Sequence, residues 1–343
     1  MTQYIFRRIL QAIPLLIIVN IIIFFLLKAA GDPFAYLALE PTVSEEDRAY
    51  LRRSLGLDDP VPLQFVHWYI GDDWFMRDLD FDGEPDTFGQ REGILRGDLG
   101  QSIRYNRPVT DVIGDFLPNT IILGTSALIT TVIFGVAIGV FSALRPYTWV
   151  DNLITTLSFV TFSMPIFLIA LLGVLIFSVT FRELGLPHLP TSGMYDPRGD
   201  RSFDELVVRL ILPTISIAAI GIARYARFVR SSMLEVINSD YIRTARAKGL
   251  NERRIVYLHA FKNASIPLIT LIALDIPFYF SGAVVTETIF SWPGMGRLFI
   301  QSLQTLDPPV LLVFTLFTAV GVVLFQLIAD IIYAWVDPRI RYT

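Results

Sequence analysis

Cysteine is absent from this chain of 343 residues, which excludes a disulfide framework and any metal site built on thiolates. Lysine occurs only at Lys28, Lys248 and Lys262, and none of these follows a glycine, so the chain lacks a P-loop for holding ATP phosphates. Neither a His-Glu-x-x-His motif nor a Gly-x-Ser-x-Gly turn occurs. We therefore expect no catalytic residue, no metal site, no cofactor and no enzymatic activity in this chain.

Charge is scarce and apolar side chains are abundant. Charged residues make up 17% of the chain and hydrophobic residues 53%, which is typical of a polytopic membrane protein rather than a soluble domain. A hydrocarbon core of about 30 Å takes about 20 helical residues. The shortest apolar run, residues 210–223, is flanked by Arg209 and Arg224, whose long side chains can reach the headgroups. We predict an all-α fold with six transmembrane helices, over residues 9–27, 118–144, 152–181, 210–223, 264–286 and 310–329.

The first apolar run has a cleaved signal peptide as its alternative interpretation. The apolar region of a signal peptide spans about 7–15 residues, followed by a cleavage site with small residues. Here 19 uncharged residues follow Arg8, and Lys28 would occupy a position that a small residue takes before the cut. We expect residues 1–30 to form a retained transmembrane helix with its N-terminus inside.

Residues 31–117 have eighteen Asp or Glu against eight Arg and no Lys. Residues 224–262 have nine basic and three acidic residues, and cytoplasmic loops are the ones that collect Lys and Arg. We predict that residues 31–117 form a large extracytoplasmic loop, that residues 118–343 hold the other five helices, and that both termini are cytoplasmic. The acidic run at residues 78–86 invites a calcium interpretation, but its spacing does not fit an EF-hand, which favours a solvated loop.

The basic segment at residues 238–263 is a candidate docking element. Ser239 is expected to cap a helix through its hydroxyl, Gly249 to end that helix in the left-handed conformation, and Asn251 to cap a second helix. The second helix would carry an apolar stripe of Ile255, Val256, Leu258 and Phe261. A basic loop beside the membrane is the alternative, since positive-inside topology alone produces one. Upstream, Arg224, Arg227 and Arg230 form a basic stripe, interpreted as contacting lipid headgroups or, alternatively, a partner protein.

Two features inside the apolar runs are candidates for the translocation pathway. Pro165, after Met164, should break a backbone hydrogen bond in mid-membrane, which produces either a tolerated kink or a bend that lines the pathway. Asp275 is an ionisable group at membrane depth, where such groups mark a cavity, a relay or a partner contact. A contact with a substrate amine and a salt bridge to another subunit both remain open for it.

A third candidate is the block ETIFSWPGMGR at residues 287–297. The order of Glu287, Trp292 and the Pro-Gly pair that follows predicts the end of a helix and then a tight turn, with Trp292 as an aromatic residue at the membrane interface. This arrangement fits either a gate near the outer mouth or a helix cap. An alternative function is a secondary transporter or channel with Asp275 or Glu287 as coupling-ion ligands. Such carriers usually have broken helices at matching positions of internal repeats, and no convincing repeat is visible here.

The segment DYIRTARAKGL, residues 240–250, resembles the EAA-type loop of ABC-importer permeases in its dipeptide, oligopeptide and nickel version. The block at residues 287–297, Gly31-Asp32-Pro33 after the first helix and the tail at residues 337–341 extend this resemblance over the whole chain. The chain departs from the generic pattern at Arg243, where Glu is usual, and at Asp275, where a neutral polar residue is usual.

The resemblance implies the B-type transmembrane permease subunit of an ATP-driven importer for di- or oligopeptides, located in the inner membrane of a bacterium or archaeon. The implied partners are a homologous C-type permease, two ABC ATPases that bind ATP and Mg, an extracytoplasmic substrate-binding protein and the lipid bilayer, but no nucleic acid. A nickel chelate or an oligosaccharide also remains open as substrate. The loop would form a coupling helix seated in a groove of the ATPase, and its implied contact residues are Asp240, Tyr241, Arg243, Thr244, Ala245, Arg246, Ala247, Lys248, Gly249 and Leu250. Ala245→Glu and Gly249→Pro are expected to abolish transport.

Overall fold

The computed structural model describes residues 2–30, 44–54, 56–79, 84–280 and 283–336. Gly31-Asp32-Pro33, residues 80–83 of the acidic run and the tail from Asp337 lie outside these ranges. In chain order the helices are α1 (Thr2–Ala30), α2 (Glu45–Ser54), α3 (Val61–Ile70), α4 (Val109–Ala143), α5 (Trp149–Ser163), α6 (Ile166–Val174), α7 (Phe181–Glu183), α8 (Phe203–Ile237), α9 (Asp240–Ala247), α10 (Glu252–Arg254), α11 (Lys262–Phe280), α12 (Val284–Ile289), α13 (Met295–Gln304) and α14 (Pro308–Val336).

Short non-α segments complete the described part of the chain. The strand β1 (Met76–Arg77) pairs antiparallel with β2 (Thr87–Phe88), and β3 (Gln101–Ser102) pairs antiparallel with β4 (Arg107–Pro108). Two π-helical segments join α-helices, Leu175–Thr180 between α6 and α7 and Ile255–Phe261 between α10 and α11. The predicted all-α, polytopic fold is confirmed.

Six helical stretches of the described residues are long and apolar enough to cross a membrane, as predicted. They are Leu10–Ala29, Val109–Ala143, Ile166–Glu183, Phe203–Ile237, Glu252–Phe280 and Pro308–Ile332. The shortest apolar run, residues 210–223, lies inside the 35-residue helix α8, because the more polar sequence on both sides of it is helical too. Pro165 interrupts the apolar run at residues 152–181, as predicted: α5 ends at Ser163, and a new helix begins at Ile166, so the membrane-length stretch begins there.

The chain divides into two units. One unit, called here the loop unit, comprises residues 6–116 and 298–320, and the other, the bundle unit, comprises residues 1–5, 117–297 and 321–343. Within the loop unit, the guanidinium of Arg77 is buried and pairs with Asp59 at 2.9 Å and with Asp72 at 3.0 Å. Asp307 is also buried and accepts a hydrogen bond from Ser102 Oγ at 2.5 Å. Ion pairs and hydrogen bonds therefore join separate parts of the described portion of residues 31–117, the predicted extracytoplasmic loop.

The core of the bundle unit is apolar and centred on α8. The side chains of Tyr225, Val229 and Met233 on one face of this helix are at most 2% exposed. They pack with Val140 of α4 and Leu268 of α11, among other side chains. Glycines permit the close approach of α4, since a Cβ at Gly135 would meet the side chain of Tyr225. This packing holds together the ends of the helices that flank the basic segment.

Candidate functional site

The candidate docking segment forms helix α9 followed by a glycine turn. The prediction that the Ser239 hydroxyl caps this helix was wrong. Ser239 precedes the helix, but its hydroxyl donates a hydrogen bond to the carbonyl oxygen of Val236 at 2.6 Å. Gly249 has φ of +74°, which confirms the left-handed turn after the helix. Asn251 caps α10 as predicted, because its side-chain oxygen accepts a hydrogen bond from Arg253 N at 2.9 Å.

The second helix of this segment does not stand alone. Residues 252–280 form one continuous helical stretch, so this helix is the beginning of the fifth span. The predicted apolar stripe divides: Ile255 and Val256 are buried, whereas Leu258 is 50% exposed. The π-helical geometry of Ile255–Phe261 explains the difference, because a π turn carries more residues than an α turn and moves later side chains around the axis.

Helix α9 has one buried and one exposed face. Ile242 and Ala245 are buried and pack in the same cluster as Met233 of α8 and Val256. Ala245 is therefore a contact within the chain, not part of the exposed face. Leu250 is half-buried beside the same cluster. The exposed residues of the segment are Asp240, Tyr241, Arg243, Thr244, Arg246, Ala247, Lys248 and Gly249.

The exposed face of α9 is positively charged. Arg246 pairs with Glu252 at 2.7 Å, and Arg243 approaches Asp240 at 3.6 Å. Exposed pairs of this kind contribute little to stability. The side chain of Arg243 is 72% exposed, and the neighbouring Ala247 is small, so a partner surface can approach the helix backbone closely. This geometry suits docking into an acidic groove of another protein.

Asp275 has its partners within the bundle unit. Its carboxylate pairs with the guanidinium of Arg224 on α8 and accepts a hydrogen bond from the Tyr225 hydroxyl at 2.8 Å. An ion pair inside one chain satisfies a carboxylate at membrane depth, so Asp275 does not need a salt bridge to another subunit. Its contact with a substrate amine stays a prediction.

The arginine stripe of α8 is largely turned towards the protein. Besides the pair of Arg224 with Asp275, Arg227 lies over the rings of Phe159 and Phe162 at 4.6 and 4.9 Å from their centroids. These contacts are cation–π interactions with α5. Polar and aromatic partners on neighbouring helices therefore engage these side chains, and contact of the stripe with headgroups or with an ATPase stays a prediction.

Sequence reasoning missed Asp151, the partner of Arg230. Asp151 is 1% exposed and also accepts hydrogen bonds from Ser142 Oγ and, at 2.8 Å, from Tyr147 N. Hydrogen bonding from Arg230 holds the pKa of this carboxyl well below its usual range, and the bonds from Ser142 and Tyr147 act in the same direction. The available signal was its place in the first turn of α5, where Thr148 accepts a hydrogen bond from Asp151 N.

Glu287 is fully buried at the centre of the block at residues 287–297. Its carboxylate accepts hydrogen bonds from Thr120 Oγ1 at 2.8 Å and from Arg297 N at 3.1 Å. Burial raises the pKa of Glu287, while the hydrogen bonds from Thr120 and from the backbone oppose that shift. A Cβ at Gly294 would overlap the carboxylate, so this glycine is required for Glu287 to fit. Glu287 therefore organises the turn after α12 from within.

Trp292 is fully buried as well, and it joins the same turn to α4. Its backbone N–H donates to Glu287 O at 2.8 Å, and its indole Nε1 donates to Asn119 O at 2.9 Å. Asn119 in turn donates to Pro293 O at 2.8 Å. Of the other pathway candidates, Met164 is half-buried and Pro165 is exposed, at the break between α5 and α6. Ile166, the residue directly after Pro165, packs against the cluster that contains Trp292.

Six apolar spans, polar contacts between helices at membrane depth and a short basic helix with one exposed face define a polytopic membrane permease. The chain belongs to the family of inner membrane components of binding-protein-dependent transport systems. The family model matches residues 135–342, and the model of the N-terminal part of such components matches residues 1–124. The chain is therefore a transmembrane permease subunit of an ABC importer, as the resemblance implied.

Curated relatives match over the full length of both chains. The chain is 39% identical to the oligopeptide transport system permease protein AppB of Bacillus subtilis, over 100% of each chain. It is 37% identical to the dipeptide transport system permease protein DppB of Alkalihalophilus pseudofirmus, and 36% identical to the glutathione transport system permease protein GsiC of Salmonella typhimurium, again over 100% of each chain.

The alternative of a secondary transporter or channel is not supported. The family is that of an importer component, and the two carboxylates considered as ion ligands are already engaged, Asp275 by Arg224 and Glu287 by Thr120. Among the residues that the structure describes, no group of three or more His, Asp or Glu is arranged to hold a metal ion.

Proposed function

We propose that the importer carries short peptides. Three relatives that match over the full length of both chains support this substrate class. Their names specify an oligopeptide, a dipeptide and glutathione as substrates. The chain forms half of the translocation pathway, and a homologous permease subunit forms the other half. A substrate-binding protein delivers the peptide from outside, and two ATPase chains, which bind ATP and Mg, drive the cycle.

Coupling to the ATPase runs through the exposed face of α9. Its buried face, Ile242 and Ala245, ties the helix to α8 and to the beginning of the fifth span. A displacement of α9 by the ATPase is therefore transmitted directly to α8 and to the fifth span, which both pack against α9. The glycine turn at Gly249 lets the chain reverse between these two attachments.

Both termini lie in the cytoplasm, and residues 31–117 lie outside the cell. The charge distribution supports this orientation, since residues 224–262 hold nine basic residues and residues 31–117 are acidic. The loop unit adds support: Phe24 and Lys28, at the end of the first span, line the same cavity as Pro308, at the start of the last span. The end of the first span and the start of the sixth span then lie at the same face of the membrane, as six alternating spans require.

The residues that line the translocation pathway are also part of this proposal. The break at Met164 and Pro165 separates α5 from α6, and Asp275 lies within the continuous helix α11. These residues are our candidates for lining the pathway. Glu287 and Trp292 stabilise the turn after α12, so their contribution is to the shape of an outer gate and not to direct substrate contact.

Reconstitution tests this function. The chain, its sister permease and the two ATPases are placed in proteoliposomes, and ATPase activity and uptake of a labelled dipeptide are measured with loaded binding protein. Arg243→Glu on the exposed face of α9 is expected to abolish the stimulated ATPase activity and uptake. Arg145→Glu is the matched control, because Arg145 is an exposed arginine on the turn between α4 and α5.

Equal loss in both variants would contradict coupling through α9. ATPase stimulation by binding protein without uptake of any peptide would leave the coupling intact and reject the substrate class. A substrate screen with oligosaccharides and nickel chelates would then identify the cargo.

A further inference from the structure

The turn between α4 and α5 exposes two aromatic side chains that lie close together in the sequence. Tyr147 is 81% exposed and Trp149 is 76% exposed. Neither the hydroxyl of Tyr147 nor the indole N–H of Trp149 has a hydrogen-bond partner among the described residues. Large aromatic side chains with a polar tip suit a boundary that is apolar on one side and wet on the other. The turn is therefore a candidate contact surface.

Buried polar contacts hold this turn in one conformation. Tyr147 has a φ of +63°, in the left-handed region that a bulky residue disfavours. Its backbone N–H donates to Asp151 Oδ2 at 2.8 Å, and Asp151 is fixed in turn by Ser142 and Arg230. A strained residue persists where its surroundings fix it. The two aromatic side chains are thus presented by a rigid support.

The sequence on both sides places the turn at the edge of the membrane. It lies between two uncharged runs, residues 118–144 and residues 152–181. Arg230, the partner of Asp151, precedes the end of α8 at Ile237 by about 10 Å, at 1.5 Å per helical residue. Helix α9 follows that end, so the turn lies nearer to the hydrocarbon core than the candidate docking helix does.

Helix α5 continues the exposed surface into the membrane. Four large apolar side chains on this helix are between 48% and 76% exposed, namely Trp149, Leu153, Leu157 and Val160. Their spacing of three or four residues places them on one face. Asp151 and Ser158 lie on the opposite face and are buried. One face of α5 is therefore packed within the bundle unit, and the other is apolar and uncovered.

The composition of the uncovered face favours lipid over another subunit. Contacts between transmembrane helices are enriched in small residues, whereas this face carries Trp149 at its boundary end and Leu153, Leu157 and Val160 below it. An aromatic residue at the boundary with aliphatic residues at greater depth is typical of a surface that faces lipid. Residues 144–150 contain no acidic side chain that would repel phosphates. Their one arginine, Arg145, lies over the ring of Phe141, 4.6 Å from its centroid.

We propose that Tyr147 and Trp149 anchor the turn between α4 and α5 in the headgroup layer of the bilayer. The indole N–H and the phenol hydroxyl donate hydrogen bonds to ester or phosphate oxygens of phospholipids, and the face from Leu153 to Val160 contacts the acyl chains. Because Asp151 pairs with Arg230, the anchor also holds the adjoining part of α8 at a fixed depth. The anchor is independent of which substrate the importer carries.

Tryptophan fluorescence of the complete importer in lipid vesicles tests the proposal. The lipids carry bromine, which quenches indole emission, either near the headgroup or near the end of the acyl chain. The emission of Trp149→Phe is subtracted from that of the wild type, so that all other tryptophans cancel and the signal of Trp149 remains. The double variant Trp149→Phe, Leu157→Trp is the matched comparison, because it moves the indole along the same face to a greater depth by about 12 Å.

Bromine near the headgroup is expected to quench the Trp149 signal about twofold more than bromine near the chain end, since the half-thickness of the hydrocarbon core is about 15 Å. The order should be reversed for the indole at position 157. Quenching of Trp149 by aqueous iodide but by neither lipid would place the turn in water and overturn the proposal.

Absence of lipid quenching at both positions would mean that another subunit covers this face, which also overturns the proposal. A Trp149 signal that responds to lipid only when the ATPases are left out would assign the turn to an ATPase contact instead. Because both substituted side chains are largely exposed, the variants are expected to fold, and a Tm equal to that of the wild type verifies this.

Discussion

The guanidinium of Arg230 contacts both carboxylate oxygens of Asp151, with Nε 2.6 Å from Oδ1 and Nη2 2.7 Å from Oδ2. Asp151 lies in the first turn of α5, whereas Arg230 lies near the end of α8. Two parallel hydrogen bonds of this kind fix the orientation of both groups. The pair therefore locks the turn between α4 and α5 onto the helix that leads to α9.

Asp151→Asn is expected to lower the free energy of unfolding by about 3 kcal/mol, because it leaves Arg230 largely buried without a counter-charge. Thermal unfolding in detergent measures the loss. The double variant Asp151→Asn, Arg230→Gln should recover part of the stability, since it removes the uncompensated charge. If the double variant is destabilised relative to the wild type by the sum of the two single effects, the two residues do not interact as the structure shows.

The same pair predicts a pH dependence. The folded-state pKa of Asp151 is depressed, so its contribution to stability is fully present above the unfolded-state pKa of about 3.9 and is lost as the pH falls towards the folded-state pKa. The difference in Tm between wild type and Asp151→Asn should therefore stay constant from about pH 8 to pH 5 and shrink below about pH 4. A difference that shrinks between pH 8 and pH 6 would contradict the assignment to this carboxyl.

Gly294 is expected to be irreplaceable for steric reasons. Gly294→Ala places a methyl group on the Glu287 carboxylate, and overpacking of this kind costs about 2 to 3 kcal/mol. Gly114→Ala in α4 is the matched control, because a Cβ there meets nothing within 4 Å. Alanine favours a helix by up to about 1 kcal/mol over glycine, so the control should be neutral or stabilised. Tm values of both variants in detergent decide the prediction.

The sequence was sufficient to predict the spans but not the partners of their charged residues. Hydropathy depends on neighbouring residues only, so the six apolar stretches could be found from residue order alone. The contact of Arg224 with Asp275 joins residues 51 positions apart, which no local pattern reveals. The folded part of residues 31–117 was underestimated for the same reason, because Arg77 draws its carboxylates from Asp59 and Asp72 on separate segments.

The docking segment shows the same division between local and distant information. Gly249 and Asn251 act where the sequence placed them, because a left-handed turn and a helix cap are local features. The burial of Ala245 depends on Met233 and Val256, which lie on other elements, and it was missed. A small side chain indicates a close approach but does not say which surface approaches.

The turn at Gly249 allows a test of backbone conformation without a steric contribution, since a Cβ there meets nothing within 4 Å. Gly249→Val is expected to reduce coupled ATPase activity and to cost about 1 to 2 kcal/mol, because a branched residue disfavours the left-handed region. Gly249→Asn should retain most of the activity, since asparagine tolerates this conformation. Equal activity in the two variants would show that the conformation of this turn is not needed.

Ala245 and Ala247 differ by two positions on α9, and the structure assigns them opposite roles. Ala245→Glu forces a carboxylate into the apolar cluster around Met233, which should lower the free energy of unfolding by about 3 kcal/mol. Ala247→Glu changes an exposed position and should alter stability by less than about 0.5 kcal/mol. Its added negative charge should nevertheless abolish ATPase stimulation in the reconstituted importer, because it lies on the basic docking face.

The two measurements separate docking from folding. Loss of coupling in Ala245→Glu alone would report damaged packing and says nothing about the partner surface. Loss of coupling in Ala247→Glu at an unchanged Tm, with normal amounts of the chain in the membrane, requires that the exposed face of α9 contacts the ATPase. A coupled, fully active Ala247→Glu importer would move the ATPase contact away from this helix, since a small residue at the centre of a tight interface does not tolerate a glutamate.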